Sequence, residues 1–136
     1  MAAYLLDTNH LGHCLNPVAR LRDRLRTAHR AGHRFGTITP ALCELEVFIA
    51  GSPNREPADR LLRDLRHYVR VWPLEPPVAR LYADIYSDLR RRSRVLSQVD
   101  MMLAALARRM NLMLLTTDRD FEALPDVSCE NWLATP

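Results

Sequence analysis

Four carboxylates stand inside or beside apolar runs, where an unpaired charge is expensive. Asp7 ends Ala2-Ala3-Tyr4-Leu5-Leu6, and Glu44 lies inside Ala41-Leu42-Cys43-Glu44-Leu45. Asp100 is the one charge in Val99-Asp100-Met101-Met102-Leu103-Ala104-Ala105-Leu106-Ala107, and Asp118 follows Leu112-Met113-Leu114-Leu115-Thr116-Thr117. A lone buried carboxylate costs several kcal/mol even after relaxation. Carboxylates gathered within a few ångströms also repel, which raises their pKa values. A divalent cation reverses that penalty. Every candidate donor is an oxygen, which suits Mg²⁺ or Mn²⁺ better than zinc. Such ions lower the pKa of a water, orient it, and stabilise the leaving oxygen of an in-line displacement at phosphorus. The chemistry these acids permit is phosphodiester hydrolysis.

Each acid also has a local reading. Asp7 in Asp-Thr-Asn can bond its own turn. Asp100 can join Ser97 in a variant capping box. Asp118 can cap the turn after its strand, and Glu44 can be a partly exposed residue early in a helix. Singly these readings suffice. Together they leave unexplained why all four acids fall at strand ends or in first turns.

The elements that must position them follow from hydrophobic periodicity. Residues 3–6 read as a buried strand. Pro17 opens a helix carrying Val18, Leu21, Leu25 and Ala28, which ends at Gly32. Phe35 to Thr39 suits a second strand, and Pro40 opens a helix closed by Gly51. Leu61, Leu65 and Tyr68 mark another helix, and Val69 to Leu74 a third strand. Pro76 and Pro77 precede a helix with Val78, Leu81, Tyr82, Ile85 and Leu89 on one face. Ser97 begins a helix reaching Met110, Leu112 to Thr116 is a fourth strand, and Phe121 lies in a short turn. A small fifth strand fits Val127 to Glu130. Alternating strands and helices imply an α/β domain with a mostly parallel sheet. Ligands of such sheets bind beyond the carboxyl ends of the strands, where Asp7 and Asp118 fall. Glu44 and Asp100 are expected in first helical turns, where the dipole favours a carboxylate.

With 136 residues, the chain suits one domain over 1–136. No apolar run approaches the about 18–20 residues of a membrane span. No secretory signal is visible, so a cytoplasmic location is expected. Cys14, Cys43 and Cys129 are too few and too scattered for a disulfide framework and read as reduced core thiols. All 19 basic side chains are arginine, in a chain of net charge +3. Codon usage in a GC-rich genome accounts for that bias, and the match of guanidinium to phosphate is the functional alternative.

At the four acids the chain resembles a PIN domain, and specifically the VapC-type ribonuclease toxins of prokaryotic toxin–antitoxin pairs. The resemblance runs through Leu5-Leu6-Asp7-Thr8-Asn9, Thr39-Pro40-Ala41-Leu42-Cys43-Glu44-Leu45, Asp100-Met101-Met102-Leu103-Ala104-Ala105 and Leu115-Thr116-Thr117-Asp118-Arg119-Asp120-Phe121. It implies a three-layer α/β/α fold with a mostly parallel sheet of four to five strands. It implies that Asp7, Glu44, Asp100 and Asp118 are catalytic and hold Mg or Mn, supported by Asn9 and Thr116. It also implies an RNA substrate, a VapB-type antitoxin partner and a homodimer. Many relatives carry glycines in the loop before the third acid, where this chain has Ser93 and Ser97. A PIN-type nuclease or an RNA-binding module outside such a pair is the alternative function.

Two neighbours compete for the site. Glu46 rivals Glu44, but two residues along a helix turn by about 200°, so both cannot face one ion. Asp120 rivals Asp118, and the Thr-x-Asp match favours Asp118. His10, His13 and Cys14 have spacings that suit one helix face, but no second ligand pair supports zinc, and packing is the expected role. Arg90, Arg91, Arg92 and Arg94 form the densest basic run, just before Asp100. It reads equally as a solvated helix end, where cations suit the dipole, and as a contact for the RNA backbone through Arg92 and Arg94. Arg20, Arg22, Arg24 and Arg26 read as a solvated helix face, and Trp72 and Trp132 as packing residues.

Overall fold

The computed structural model describes residues 2–18 and 20–133. Five short strands form one sheet: β1 (Ala3–Leu6), β2 (Arg34–Thr37), β3 (Val69–Val71), β4 (Met113–Leu115) and β5 (Cys129–Glu130). Their order is β3-β2-β1-β4-β5, and every pairing is parallel. β1 is central and apolar throughout, as a strand covered on both faces should be; Leu5 and Leu6 are fully buried.

Six helices connect the strands: α1 (Thr8–Cys14), α2 (Leu21–Arg30), α3 (Thr39–Ala50), α4 (Glu56–Leu65), α5 (Pro76–Arg91) and α6 (Gln98–Met110). A 3₁₀ turn, Arg119–Ala123, links β4 to β5. From β1 to β3 the chain steps one way across the sheet, and from β3 to β5 it steps the other way. Right-handed crossovers therefore put α1–α4 on one face and α5–α6 on the other. Consistent with this, α1 packs on α2, α3 and α4, while α5 and α6 pack along each other. This is the expected three-layer architecture with an all-parallel sheet.

Several boundaries differ from the sequence reading. Helix α1 was not anticipated: it is short, it contains Gly12, and one of its three buried positions is a histidine. Pro17 opens no helix. Val18 is 84% exposed, α2 starts at Leu21, and Gly32 follows the helix with φ 99°. Tyr68 lies in the turn after α4, and β3 stops at Val71. Only Cys14 of the three cysteines is buried; Cys43 and Cys129 are exposed, so the core-thiol reading fails for both.

The aromatic and arginine residues do pack. A Cβ added to Gly36 would lie 2.4 Å from the Trp72 ring, so Trp72 rests directly on the β2 backbone. Trp132 meets Tyr4 and Phe35 and lies under the Arg24 guanidinium, 4.2 Å from the ring centre. Arg22 reaches the Cys14 carbonyl, and Arg26 pairs with Asp64. Much of the arginine face of α2 is thus spent on intramolecular contacts.

Between α5 and α6, Ser93 adopts φ 54°, the left-handed conformation that glycine occupies without strain. A side chain there costs roughly 1–2 kcal/mol, part of which glycine returns as lost chain entropy. Ser93→Gly is expected to raise stability by up to about 1 kcal/mol in urea denaturation, with no change in m-value.

Candidate active site

Strands β1 and β4 are neighbours in space, and the chain departs from them in opposite directions across the sheet. That is a topological switch point, where a parallel sheet opens a crevice beyond its carboxyl ends. Asp7 follows β1 directly, and Thr116-Thr117-Asp118 follow β4. The Asp7 amide donates to the Leu115 carbonyl at 3.2 Å, which extends the ladder to the crevice edge.

Asp7 is 5% exposed and caps α1: its Oδ1 accepts from the His10 amide at 2.8 Å. Thr116 is buried, and its Oγ1 accepts from the Asp118 amide at 3.0 Å. Asp118 in turn caps the 3₁₀ turn, with Oδ1 accepting from the Asp120 amide at 2.8 Å. Ser97 caps α6, and its Oγ accepts from the Asp100 amide at 3.1 Å. The local readings of Asp7 and Asp118 are therefore geometrically correct, and of the capping box read for Asp100 the Ser97 half is formed. They do not exclude ligation, because capping occupies one oxygen of a carboxylate that has two.

Across the crevice, Asn9 Nδ2 donates to Thr117 Oγ1 at 2.7 Å, tying α1 to the loop after β4. Thr8 Oγ1 donates to Glu44 Oε1 at 2.6 Å, tying α1 to α3. Thr8 and Thr117 were not singled out from sequence. Their only signal was adjacency to Asp7 and Asp118.

The burial premise needs correction. Asp7 alone is buried; Asp100 and Asp118 are half-buried, and Glu44 is exposed. Glu44 also sits in the second turn of α3, so the helix dipole argument holds for Asp100 and not for Glu44. What sets this crevice apart is a half-buried carboxyl with three acidic neighbours. The Asp100 carboxyl is pushed up to about 6, first by burial and then by the charges of Asp118, Asp7 and Glu44, against a pull downward from Ser97. Glu46 and Asp120 are not among the leading causes of that shift. Although Cys129 is exposed as a residue, its thiol on β5 is partly shielded, and this desolvation, followed by the Asp7 charge, raises it to about 11.

Among the described residues, no group of three or more His, Cys, Asp or Glu is placed to hold a metal ion. The chemistry of the donor set still suits a hydrated hard cation, because Mg²⁺ takes only one or two carboxylates and keeps several of its waters. His10 and His13 do not converge with Cys14 on a zinc site among these residues. Arg92 is engaged: its guanidinium donates to Asp88 at 2.7 Å and to the Ala123 carbonyl. Arg94 is exposed at the end of the same loop. Trp132, beyond β5, donates its amide N–H to His10 Nε2 at 3.2 Å, a contact that no sequence pattern indicated.

The raised Asp100 carboxyl has a stability consequence. In metal-free protein its folded pKa of about 6 exceeds the ordinary value of 3.8, so the folded state holds its proton longer. The resulting stabilisation is fully present below about 4 and is lost as pH rises through about 6. In EDTA, Asp100→Asn should therefore gain melting temperature relative to wild type between pH 5 and pH 7. A constant difference across that range would contradict the raised Asp100 carboxyl.

The chain matches the PIN domain family model over residues 4–127. Comparison with curated proteins gives no match. Among solved structures, a chain of VapBC2 from Rickettsia felis, bound to a DNA fragment from their promoter, is similar at TM-score 0.85 and 19% identity, over 96% of this chain and 98% of that one. FitAcB from Neisseria gonorrhoeae is similar at TM-score 0.76 and 26% identity, over 94% and 96%. VapC20 from Mycobacterium tuberculosis, a Sarcin-Ricin loop cleaving toxin, is similar at TM-score 0.65 and 19% identity, over 89% and 94%. With the family model spanning nearly all of its length, the chain belongs to the PIN domain family.

Proposed function

We propose that this protein is a metal-dependent endoribonuclease, acting as the toxin of a VapBC-type toxin–antitoxin pair and folding as one PIN-like domain over residues 1–136. One observation carries the reading. Asp7, Glu44, Asp100 and Asp118 come from four separate segments at the carboxyl end of the sheet, and the charges of the other three help to raise the Asp100 carboxyl, which supports a shared site. Asp7, Glu44, Asp100 and Asp118 are the residues that would hold Mg²⁺ or Mn²⁺. A dication bound there supplies Lewis acidity toward a water and toward the scissile phosphodiester. The chain's own groups do the rest. Ser97 and Thr116 accept the backbone amides of Asp100 and Asp118, Thr8 donates to the Glu44 carboxylate, and Asn9 closes α1 against the loop that carries Asp118.

Arg94 is the better placed of the two arginines for a phosphate of the RNA, since Arg92 already ties α5 to the 3₁₀ turn. Beside Thr8 and Asn9 opens an apolar groove lined by Gly12, Leu15, Pro17, Leu45, Phe48 and Ala58. Phe48 is 68% exposed at its edge and the neighbouring Val47 is 74% exposed, an apolar surface of the kind that receives a protein partner. A VapB-type antitoxin seated there would cover the acids. No helix among the described residues is long and apolar enough to cross a membrane. Homodimerisation belongs to the same reading.

Purified protein is expected to cleave RNA in Mg²⁺ or Mn²⁺ and to stop in EDTA. Asp7→Asn or Asp100→Asn should lower cleavage by at least about a hundredfold, the scale of removing one charge-stabilising contact from a reaction site. Both variants should still unfold cooperatively. Cleavage that persists without metal, or in both variants, would overturn the nuclease mechanism. RNA binding in EDTA with no cleavage in Mn²⁺ would favour the binding-module alternative. Co-expression of a co-encoded VapB-type antitoxin should relieve growth arrest caused by wild type, and arrest should be absent with Asp7→Asn.

A further inference from the structure

We propose that His10 is a positioning residue that orients the Asp7 carboxylate, an inference that rests on the metal-site reading above. His10 is fully buried one helical turn after Asp7. A neutral imidazole carries one N–H and one acceptor nitrogen, and the partner of one nitrogen decides the other. Here Nε2 accepts the amide N–H of Trp132 at 3.2 Å. The ring proton therefore resides on Nδ1. That nitrogen lies 3.3 Å from Asp7 Oδ1 and has no hydrogen bond of good geometry. A fully buried donor with no other partner is rare in a folded core.

The acceptor side of this arrangement is well anchored. Trp132 is held by its indole N–H to Glu130 at 2.8 Å, by Arg24 Nη1 on its carbonyl at 3.3 Å, and by the Arg24 guanidinium over its ring. The strap beyond β5 thus sets the tautomer of a histidine that faces the acid after β1. Oδ1 of Asp7 already accepts the His10 amide and is the oxygen nearest Nδ1. Both contacts fall on the same oxygen, which leaves Oδ2 as the one available to a cation. Hydrogen bonds of this kind are often long in the unliganded site and tighten once ligand binds. The carboxylate–histidine pairing familiar around metals appears here with the roles reversed: the histidine supports and the carboxylate ligates.

The test separates the two nitrogens. His10→Asn keeps a donor near the Nδ1 position and loses the Trp132 acceptor. His10→Gln keeps an acceptor near the Nε2 position and loses the donor to Asp7. His10→Phe keeps the packing alone. Titration with Mn²⁺ alone, followed by electron paramagnetic resonance, reads affinity without any cleavage assay. His10→Gln and His10→Phe are expected to bind Mn²⁺ ~10–100-fold more weakly, the usual effect of removing a group that orients a ligand. His10→Asn is expected to bind close to the wild-type value. Long-range ¹H–¹⁵N spectra of metal-free wild type should show His10 as the Nδ1–H tautomer, and the Mn²⁺ affinities of the variants then separate a role toward Asp7 from anchoring of Trp132 alone. An Nε2–H tautomer, or wild-type affinity in His10→Gln, would overturn the proposal. A wild type that binds no Mn²⁺ would overturn the metal-site reading itself and this inference with it.

Discussion

The parallel pairing of β1 with β4 is the constraint from which the rest of the crevice follows. Tyr4, Leu5 and Leu6 stand in register with Met113, Leu114 and Leu115, and the Asp7 amide adds a further bond to the Leu115 carbonyl. Those bonds hold the ends of two strands side by side although more than a hundred residues separate them. The acids that follow each strand must then share one edge. β2 lies against the other side of β1, so α3 and its Glu44 start from the same edge. α6 packs on β4 and leads into it, which brings its N-terminal turn, with Asp100, to that edge as well.

Around this edge, capping and charge gathering are two uses of the same carboxylates. Asp7 and Asp118 each give one oxygen to a backbone amide at the start of a turn or helix. Such caps are worth about 1 kcal/mol and freeze the side chain in one rotamer. Freezing matters because a mobile carboxylate can swing into water and escape its neighbours. Burial first, and then the charges of Asp118, Asp7 and Glu44, raise the Asp100 carboxyl, while Ser97 pulls it back down. A carboxyl perturbed by burial and by specific charged neighbours in a crevice marks a candidate functional site.

Local periodicity went far with the elements. Short apolar runs bounded by Pro and Gly located every strand to within a few residues. Pro40 and Gly51 located α3, the one-sided apolar stripe from Val78 to Leu89 located α5, and Ser97 marked the start of α6. The failures have physical causes. α1 is too short to show a repeat and buries a histidine. Pro17 has a helix-starting composition, but Val18 faces water instead of the core. Burial of the acids was inferred from apolar neighbours in sequence, yet Glu44 lies on the exposed face of α3, one position before the buried Leu45.

By itself the sequence determined which residues could build strands and helices, and which acids follow or interrupt them, because those properties depend on neighbours a few positions away. It also carried the PIN resemblance through four short motifs. Only the tertiary structure decided the strand order, the convergence of the acids, and the partners that commit Arg92 to Asp88 and His10 to Trp132. The His10–Trp132 contact spans 122 positions, and its chemistry turns on which ring nitrogen faces which backbone atom. No pattern along the chain encodes that choice, because hydrogen-bond direction is set by packing in three dimensions.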